Sequence, residues 1–457
     1  MKKSVVIAML FSTIGVQAMT EQAFVERLKE IHPFFKQQAL STDIKKIEKQ
    51  ATTANEDWII SINSTYQSEK NAKDAAAVYN SLDTALIGIS TTKKHAATGS
   101  EITIEHTWVK KNKDLNSNRN QFSMDYSYPL LRNKDGINDR LSVDVAQIAI
   151  TQNKLERLEA EEGFILEQLT RFLDLAYAQQ QLLINEHRLT LAKKELALVK
   201  EKYTASVVEK VDVLLQKDAY QRAKQQLLQA QQELTLLRYE IAITLGTDFE
   251  KIVAETDLYK IDNFKIIALK DYLAKNSRIL KINDLAKNTV KRQLLSFKNQ
   301  SKAKLNLNLG LSSTGEKTSY SDSLDNQSTT WKVGLSLVYP LGGTASNSNI
   351  QKANKQLLSL QQSKQQQLLK VYTRAKILQE KIKLLKEILL SNEVQINIAK
   401  ARTKEEKQRY SNGNGQASFV INAQNNEQVV ELNYAKTAKD YQKAVLEFKA
   451  SIDHLIR

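Results

Sequence analysis

The sequence predicts a mainly α-helical protein that also carries membrane β-strands, laid out as two internal repeats. Three observations predict it. Two very long stretches keep a helical apolar period. Short stretches ahead of each alternate apolar with polar residues. The same landmarks then recur about 210 residues apart.

Residues 142–246 carry the first observation. They contain no proline and one interior glycine, Gly163. Leu155, Leu158, Ile165, Leu169, Phe172, Leu175, Leu182, Leu189 and Leu196 return at steps of three, four or seven. That period is helical, and its persistence means helix packed along helix. Residues 134–202 alone would span roughly 100 Å at 1.5 Å rise per residue. A break at 204–210 precedes a second helix that closes at Leu245-Gly246. Residues 347–409 and 418–456 form a like pair around Ser411-Asn412-Gly413-Asn414-Gly415.

The strands come next. Trp58, Ile60, Ile62 and Tyr66 alternate with Ser61, Asn63 and Thr65. Ile102, Ile104, His106 and Trp108 do so with Thr103, Glu105 and Thr107, and Phe122, Met124, Tyr126 and Tyr128 with Ser123, Asp125 and Ser127. In the second half, Leu305, Leu307, Leu309 and Leu311 alternate with Asn306, Asn308 and Gly310. Trp331, Val333, Leu335, Leu337 and Tyr339 alternate with Lys332, Gly334 and Ser336. Period two marks strands with one apolar face. Residues 83–92 give a weaker strand, while 110–120 and 313–329 read as exposed polar loops. Residues 20–48, interrupted near His32-Pro33, and 265–302 read as further helices.

Tyr128-Pro129-Leu130 and Tyr339-Pro340-Leu341 stand at matching strand-to-helix junctions, and Tyr203 and Tyr410 at matching far ends of the long helices. An internal duplication explains the agreement. The expected layout is a secretory signal at 1–18, a first repeat at 19–247 (strands about 58–130, hairpin 133–247), a connecting segment at 248–264, and a second repeat at 265–457 (strands about 304–340, hairpin 345–457).

Composition narrows the function. The 457 residues hold 66 basic and 51 acidic side chains, a net charge of +15, but the charges are interleaved along helices. They read as solvated helix faces, so no nucleic-acid partner is expected. Cysteine is absent, which excludes disulfides and thiolate metal sites. Lys2 and Lys3, an apolar stretch and Val16-Gln17-Ala18 make an N-terminal secretory signal. The five histidines are scattered, and no phosphate-cradling loop or nucleophile elbow occurs, so neither catalysis nor a cofactor is expected.

Alternating strands of this length can cross an outer membrane only when closed into a barrel. Trp58, Tyr66, Trp108, Tyr126, Trp331 and Tyr339 fall where interfacial aromatic girdles would place them. One chain offers four to six such strands and a barrel needs at least eight, so the chain must oligomerise.

YTASVVEKVDVLLQKDAYQRAKQQLLQAQQELTLLRYEIAITLG at 203–246 pairs an aromatic, a small-residue turn, Asp-Val-Leu and a closing Leu-Gly. YSNGNGQASFVINAQNNEQVVELNYAKTAKDY at 410–441 follows the same pattern, and SYPLLRNKDGINDR at 127–140 joins strand to helix. In this order and double occurrence, the sequence resembles the TolC-like outer membrane efflux family. The resemblance implies a homotrimer: a shared β-barrel in outer membrane lipid, continued by a long α-helical coiled-coil tunnel through the periplasm. It implies docking to a periplasmic adaptor (membrane fusion) protein and an inner-membrane transporter of RND, ABC or MFS type. The helix tips, with Tyr203, Ser206, Asp212, Tyr410, Gly413, Gly415, Phe419 and Asn422, would form the periplasmic entrance, and a Tyr410–Asp212 hydrogen bond would latch it.

Departures from the family pattern bear on that gate. Ser206 stands where glycine is frequent, Gly415 where some members place an arginine, and Phe419 and Asn422 where such members place aspartates. Cation affinity at the tip should then be weak. A duct for type I protein secretion is the near alternative. A periplasmic structural coiled coil or adaptor is the distant one, and it would lack membrane strands.

Overall fold

The computed structural model describes residues 18–71, 79–249, 252–261 and 268–455. The expected secretory signal lies outside them except for Ala18, as do residues 250–251 and 262–264 of the connecting segment. In chain order the elements are β1 (Ala18–Met19), α1 (Glu21–Ile31), α2 (Pro33–Ala51), β2 (Ile59–Lys70), β3 (Ser81–His95), β4 (Ser100–Lys113), β5 (Ser117–Pro129), α3 (Leu141–Thr204) and α4 (Lys210–Leu245). There follow β6 (Val253–Ala254), α5 (Leu269–Asn276), α6 (Arg278–Gln300), β7 (Lys304–Lys317), α7 (Tyr320–Asp325), β8 (Ser328–Val338), α8 (Thr344–Ser411) and α9 (Ala417–Ser451). They divide into two compact units.

One unit, Leu40–Leu155 with Lys281–Gln366, holds a six-stranded antiparallel sheet in the order β2-β3-β4-β5-β7-β8. Residues paired across it share a face. Ile60, Thr91, Ile104, Met124, Leu311 and Trp331 form one row. The next row is Ser61, Ser90, Glu105, Ser123, Ser312 and Thr330, on the opposite face. Two expected loops are corrected. Residues 110–120 continue β4 and β5, leaving a reversal only at 114–116, and 313–329 shrink to the short helix α7 between extended strands. Beyond the apolar band both faces turn polar, so alternation fades although the backbone ladder continues. The weak strand at 83–92 is the full strand β3.

Where β5 leaves the sheet, the chain makes a compact left-handed passage: φ is positive at Asn133, Asp135 and Gly136. A Cβ on Gly136 would land on the Ala96 carbonyl. Polar contacts fix this passage. Asn299 accepts from the Asn133 N–H at 2.7 Å, and Arg292 pairs with Asp144 at 2.6 Å while donating to the Ile137 carbonyl at 2.6 Å.

The other unit contains α1, α4, α5, α9 and parts of α3 and α8. Phe24, Phe172 and Tyr441 are fully buried in its core, the first two stacked at 4.9 Å. The break between α1 and α2 falls at His32, before Pro33, as the residue preceding a proline avoids helical backbone. A second break, at Ser277 between α5 and α6, needs no proline. There the Arg278 N–H donates to Asp453 at 2.7 Å.

Two glycines should answer oppositely to alanine. Gly136→Ala should lower the melting midpoint, because left-handed backbone costs a non-glycine residue about 1–2 kcal/mol before the clash is counted. Gly163→Ala, where a Cβ meets nothing within 4 Å, should raise stability by up to about 1 kcal/mol. Far-UV circular dichroism melts of the two variants check both signs.

Candidate functional site

Two regions hold the expected site residues: the helix-hairpin turns and the sheet. The turn from α3 to α4 and that from α8 to α9 have the same backbone design. Ser206 (φ 60°) and Gly413 (φ 80°) are left-handed. In the first, the Val207 N–H donates to the Lys202 carbonyl at 2.8 Å; in the second, Asn414 N–H donates to Arg409 at 3.0 Å. Both close a helix by the left-handed cap that favours glycine. That is the physical reason glycine is expected at position 206.

Tyr203 is exposed in the last turn of α3, whereas Tyr410 is buried among Val199, Ala417 and Val420. Lys202 Nζ stands 4.2 Å over the Tyr410 ring. Burial first, then the negative charges of Asp212 and Glu195, push the Tyr410 hydroxyl above its usual pKa. Its Oη has no hydrogen-bond partner among the described residues. The Asp212 carboxylate accepts instead from the Glu209 N–H at 3.3 Å, at the start of α4. The expected Tyr410–Asp212 bond is therefore not made within this chain. Gly415 lies against the α8 terminus, where a Cβ would sit 2.9 Å from the Tyr410 nitrogen. An arginine cannot stand there without reshaping the turn.

Phe419 is exposed on α9, and Asn422 helps line a groove of about 350 Å³ with Ser418, Asp218, Arg222 and Arg188. Arg188 is a residue the sequence analysis missed. It is 4% exposed, yet it donates to neutral amides, Gln424 Oε1 at 3.0 Å and Asn425 Oδ1 at 2.8 Å. Desolvation lowers its pKa, against the attraction of Glu195 and Glu427. Its neighbour Asn185 accepts from Gln428 at 2.8 Å. Only Asn185 carried a local signal: Ala178, Asn185, Ala192 and Val199 form a buried stripe at seven-residue spacing, of which it is the polar member.

A second missed cluster joins Arg278 to Glu159 (2.7 Å), Glu162 and Asp453 (3.3 Å). These carboxylates lie close enough together to suggest a cation site. The Arg278 guanidinium already supplies the positive charge there, so the cluster is a clasp between α3, α6 and the C-terminal residues. Desolvation raises the Glu159 pKa, an effect Arg278 opposes.

On the sheet, Ile60, Ile62, Ile87, Ile89, Ile104, Phe122, Met124, Leu309, Leu311, Trp331, Val333, Leu335 and Leu337 form one exposed apolar face. Tyr126, Tyr339 and Trp58 lie toward the end of that face from which the chain continues into the helices, and Lys93 stands over the Trp58 ring at 5.5 Å. Trp108 and Tyr66 lie toward the other end. Trp108 meets Tyr320 edge-on at 5.8 Å. Trp331 sits between, in the row of Ile60. Pro129 is the last residue of β5, and Pro340 follows two residues after β8.

No protein-family model and no curated protein sequence matches the chain. Its structure does match solved ones. The Neisseria gonorrhoeae MtrE outer membrane channel, in its open state, superimposes with a TM-score of 0.69 at 11% identity, over 96% of this chain and 90% of that one. The Vibrio cholerae outer membrane protein VceC gives 0.67 at 11%, over 95% and 96%. The Campylobacter jejuni CmeC outer membrane channel gives 0.63 at 12%, over 100% and 94%. The chain has the fold of these channels.

Arg278→Met should cost about 3–5 kcal/mol near neutral pH, by leaving buried carboxylates without their cation. A raised folded-state pKa gives a stabilising contribution that is present at low pH and lost as pH rises through it. Removing Arg278 raises Glu159 further, so the deficit should narrow on acidification. Guanidinium unfolding at neutral and mildly acid pH measures it, and an equal deficit at both would refute the clasp.

Proposed function

We propose that the chain is the outer membrane duct of a tripartite export system in a Gram-negative bacterium. Three copies close one β-barrel in the outer membrane, and their helical hairpins form a tunnel through the periplasm. A periplasmic adaptor and an inner-membrane transporter deliver the substrate, and the duct gives it passive exit. The two strand-and-hairpin halves are products of an internal duplication, which accounts for the shared turn design at Ser206 and Gly413.

One observation carries this reading. The central rows of the sheet present mainly apolar residues to one side (Ile60, Ile104, Met124, Leu311, Trp331) and polar residues to the other (Ser61, Ser90, Glu105, Ser123, Ser312, Thr330), in register. An exposed apolar face of this extent needs lipid or a partner. The polar side, with Glu105, Asp125, Asn308 and Lys332, suits a water-filled lumen. The structural likeness to outer membrane channels supports the same assignment. A periplasmic spacer would have no use for the apolar face.

Fractionation and imaging test it. The protein should stay with the outer membrane through salt washing, require detergent for release, and appear as a three-fold particle with a detergent belt at one end. A monomer in the periplasmic fraction would overturn the reading.

The hairpin turns are the proposed entrance, with Tyr203, Ser206, Asp212, Tyr410, Gly413, Gly415, Phe419 and Asn422 at or near it. The latch belongs to the closed assembly, where Asp212 would give up the Glu209 N–H for the Tyr410 hydroxyl. Tyr410→Phe should then raise single-channel conductance in planar bilayers, with little loss of thermal stability because the hydroxyl is unpartnered in the single chain. An unaltered closed state in that variant would discard the latch.

A further inference from the structure

We infer that each chain contributes all six strands to the membrane wall, so that the three-copy assembly closes an 18-stranded barrel by pairing β2 of one copy with β8 of the next. The inference rests on the duct reading and fixes its membrane cross-section. The hairpin β2–β3 could in principle fold aside as a plug or a surface arm, leaving β4 as the edge. Its side chains argue against that. Ile60, Ile62, Ile87 and Ile89 continue the apolar face of β4 and β5, while Ser61, Asn63 and Ser90 continue the polar face, with no shift of register. A plug in an aqueous lumen would not need an apolar face aligned with the lipid side of the wall.

The edges themselves name the occupant. Every residue of β8 is exposed, and all but one of β2. In lipid there is no water to pair with unsatisfied backbone groups, so both edges must be covered. The strands match in length, 12 residues against 11. Because the six alternate in direction, β2 meets a neighbour's β8 antiparallel, and closure adds no mismatch. A head-to-tail contact of this kind closes into a ring. A lone six-stranded ring falls below the smallest bacterial barrels, of eight strands. Eighteen strands leave an aqueous channel, with a backbone diameter of roughly 35 Å against roughly 24 Å for twelve, from the strand spacing and a usual tilt.

Electron cryomicroscopy of the assembly in lipid nanodiscs counts the strands directly. Eighteen in a three-fold wall is expected. A three-fold wall of twelve, with β2–β3 outside it, overturns this inference and leaves the duct reading intact. A particle without a barrel overturns both. The absence of native cysteine permits a second measurement. Asn63→Cys combined in turn with Thr330→Cys, Lys332→Cys or Ser336→Cys should give oxidised covalent trimers for at least one pair. Thr103→Cys in β4 with the same partners should give none. The reverse pattern overturns the inference.

Discussion

Register is the constraint on which this sheet depends. Side chains alternate with period two, so a slip of one residue in any strand would carry Ile60, Ile104 or Met124 to the polar side and bring Ser61, Glu105 or Ser123 to the apolar one. Nothing in the backbone ladder alone prevents such a slip. The apolar face does, because it is continuous over six strands and every strand shares the penalty. The passage after β5 adds a mechanical stop. Gly136 is pressed against the Ala96 carbonyl in the β3–β4 turn, and that close approach ties the passage to the turn.

In the helical unit, specificity comes from polar groups placed among apolar ones. Long helices with a uniform apolar stripe can slide past one another at small cost. Asn185 in the buried seven-residue stripe, and Arg188 donating to Gln424 and Asn425, fix α3 against α9 at one position. A single buried polar group is the best-attested way to set the register of packed helices. Arg188 makes no ion pair among the described residues, so its burial is a cost accepted for alignment. Arg278 fixes a different place, drawing α3, α6 and Asp453 together through three carboxylates.

What was legible in the sequence follows from range. The four long helices and the strands of the apolar band announce themselves by period, which is a local property. β3 was faint because Ala85, Gly88 and Thr91 dilute its alternation, although its neighbours hold it as firmly as any strand. The outer ends of β4, β5 and β7 read as loops in sequence because Lys110, Lys111, Asn118 and Lys317 lie beyond the apolar band, where hydrogen-bond pairing alone sustains the strand. Arg188 and Arg278 were invisible for another reason. Their partners lie more than one hundred residues away in sequence, and among 66 basic side chains nothing local distinguishes them.

The two hairpin turns show backbone and side chain following different rules. Both close a long helix with the same left-handed cap, and the second tolerates that geometry better because glycine holds position 413 where serine holds 206. The following helix starts differ in the opposite sense. Asp212, third in α4, accepts the Glu209 N–H. The third residue of α9 is Phe419, which has no acceptor, and its cap residue Gln416 makes no side-chain capping bond. A helix start without such a bond leaves one more terminal N–H to be satisfied by water. The second tip therefore combines a more permissive turn with a less firmly held helix start. Of the two tips, it is the cheaper one to displace, and Tyr410 sits directly before it.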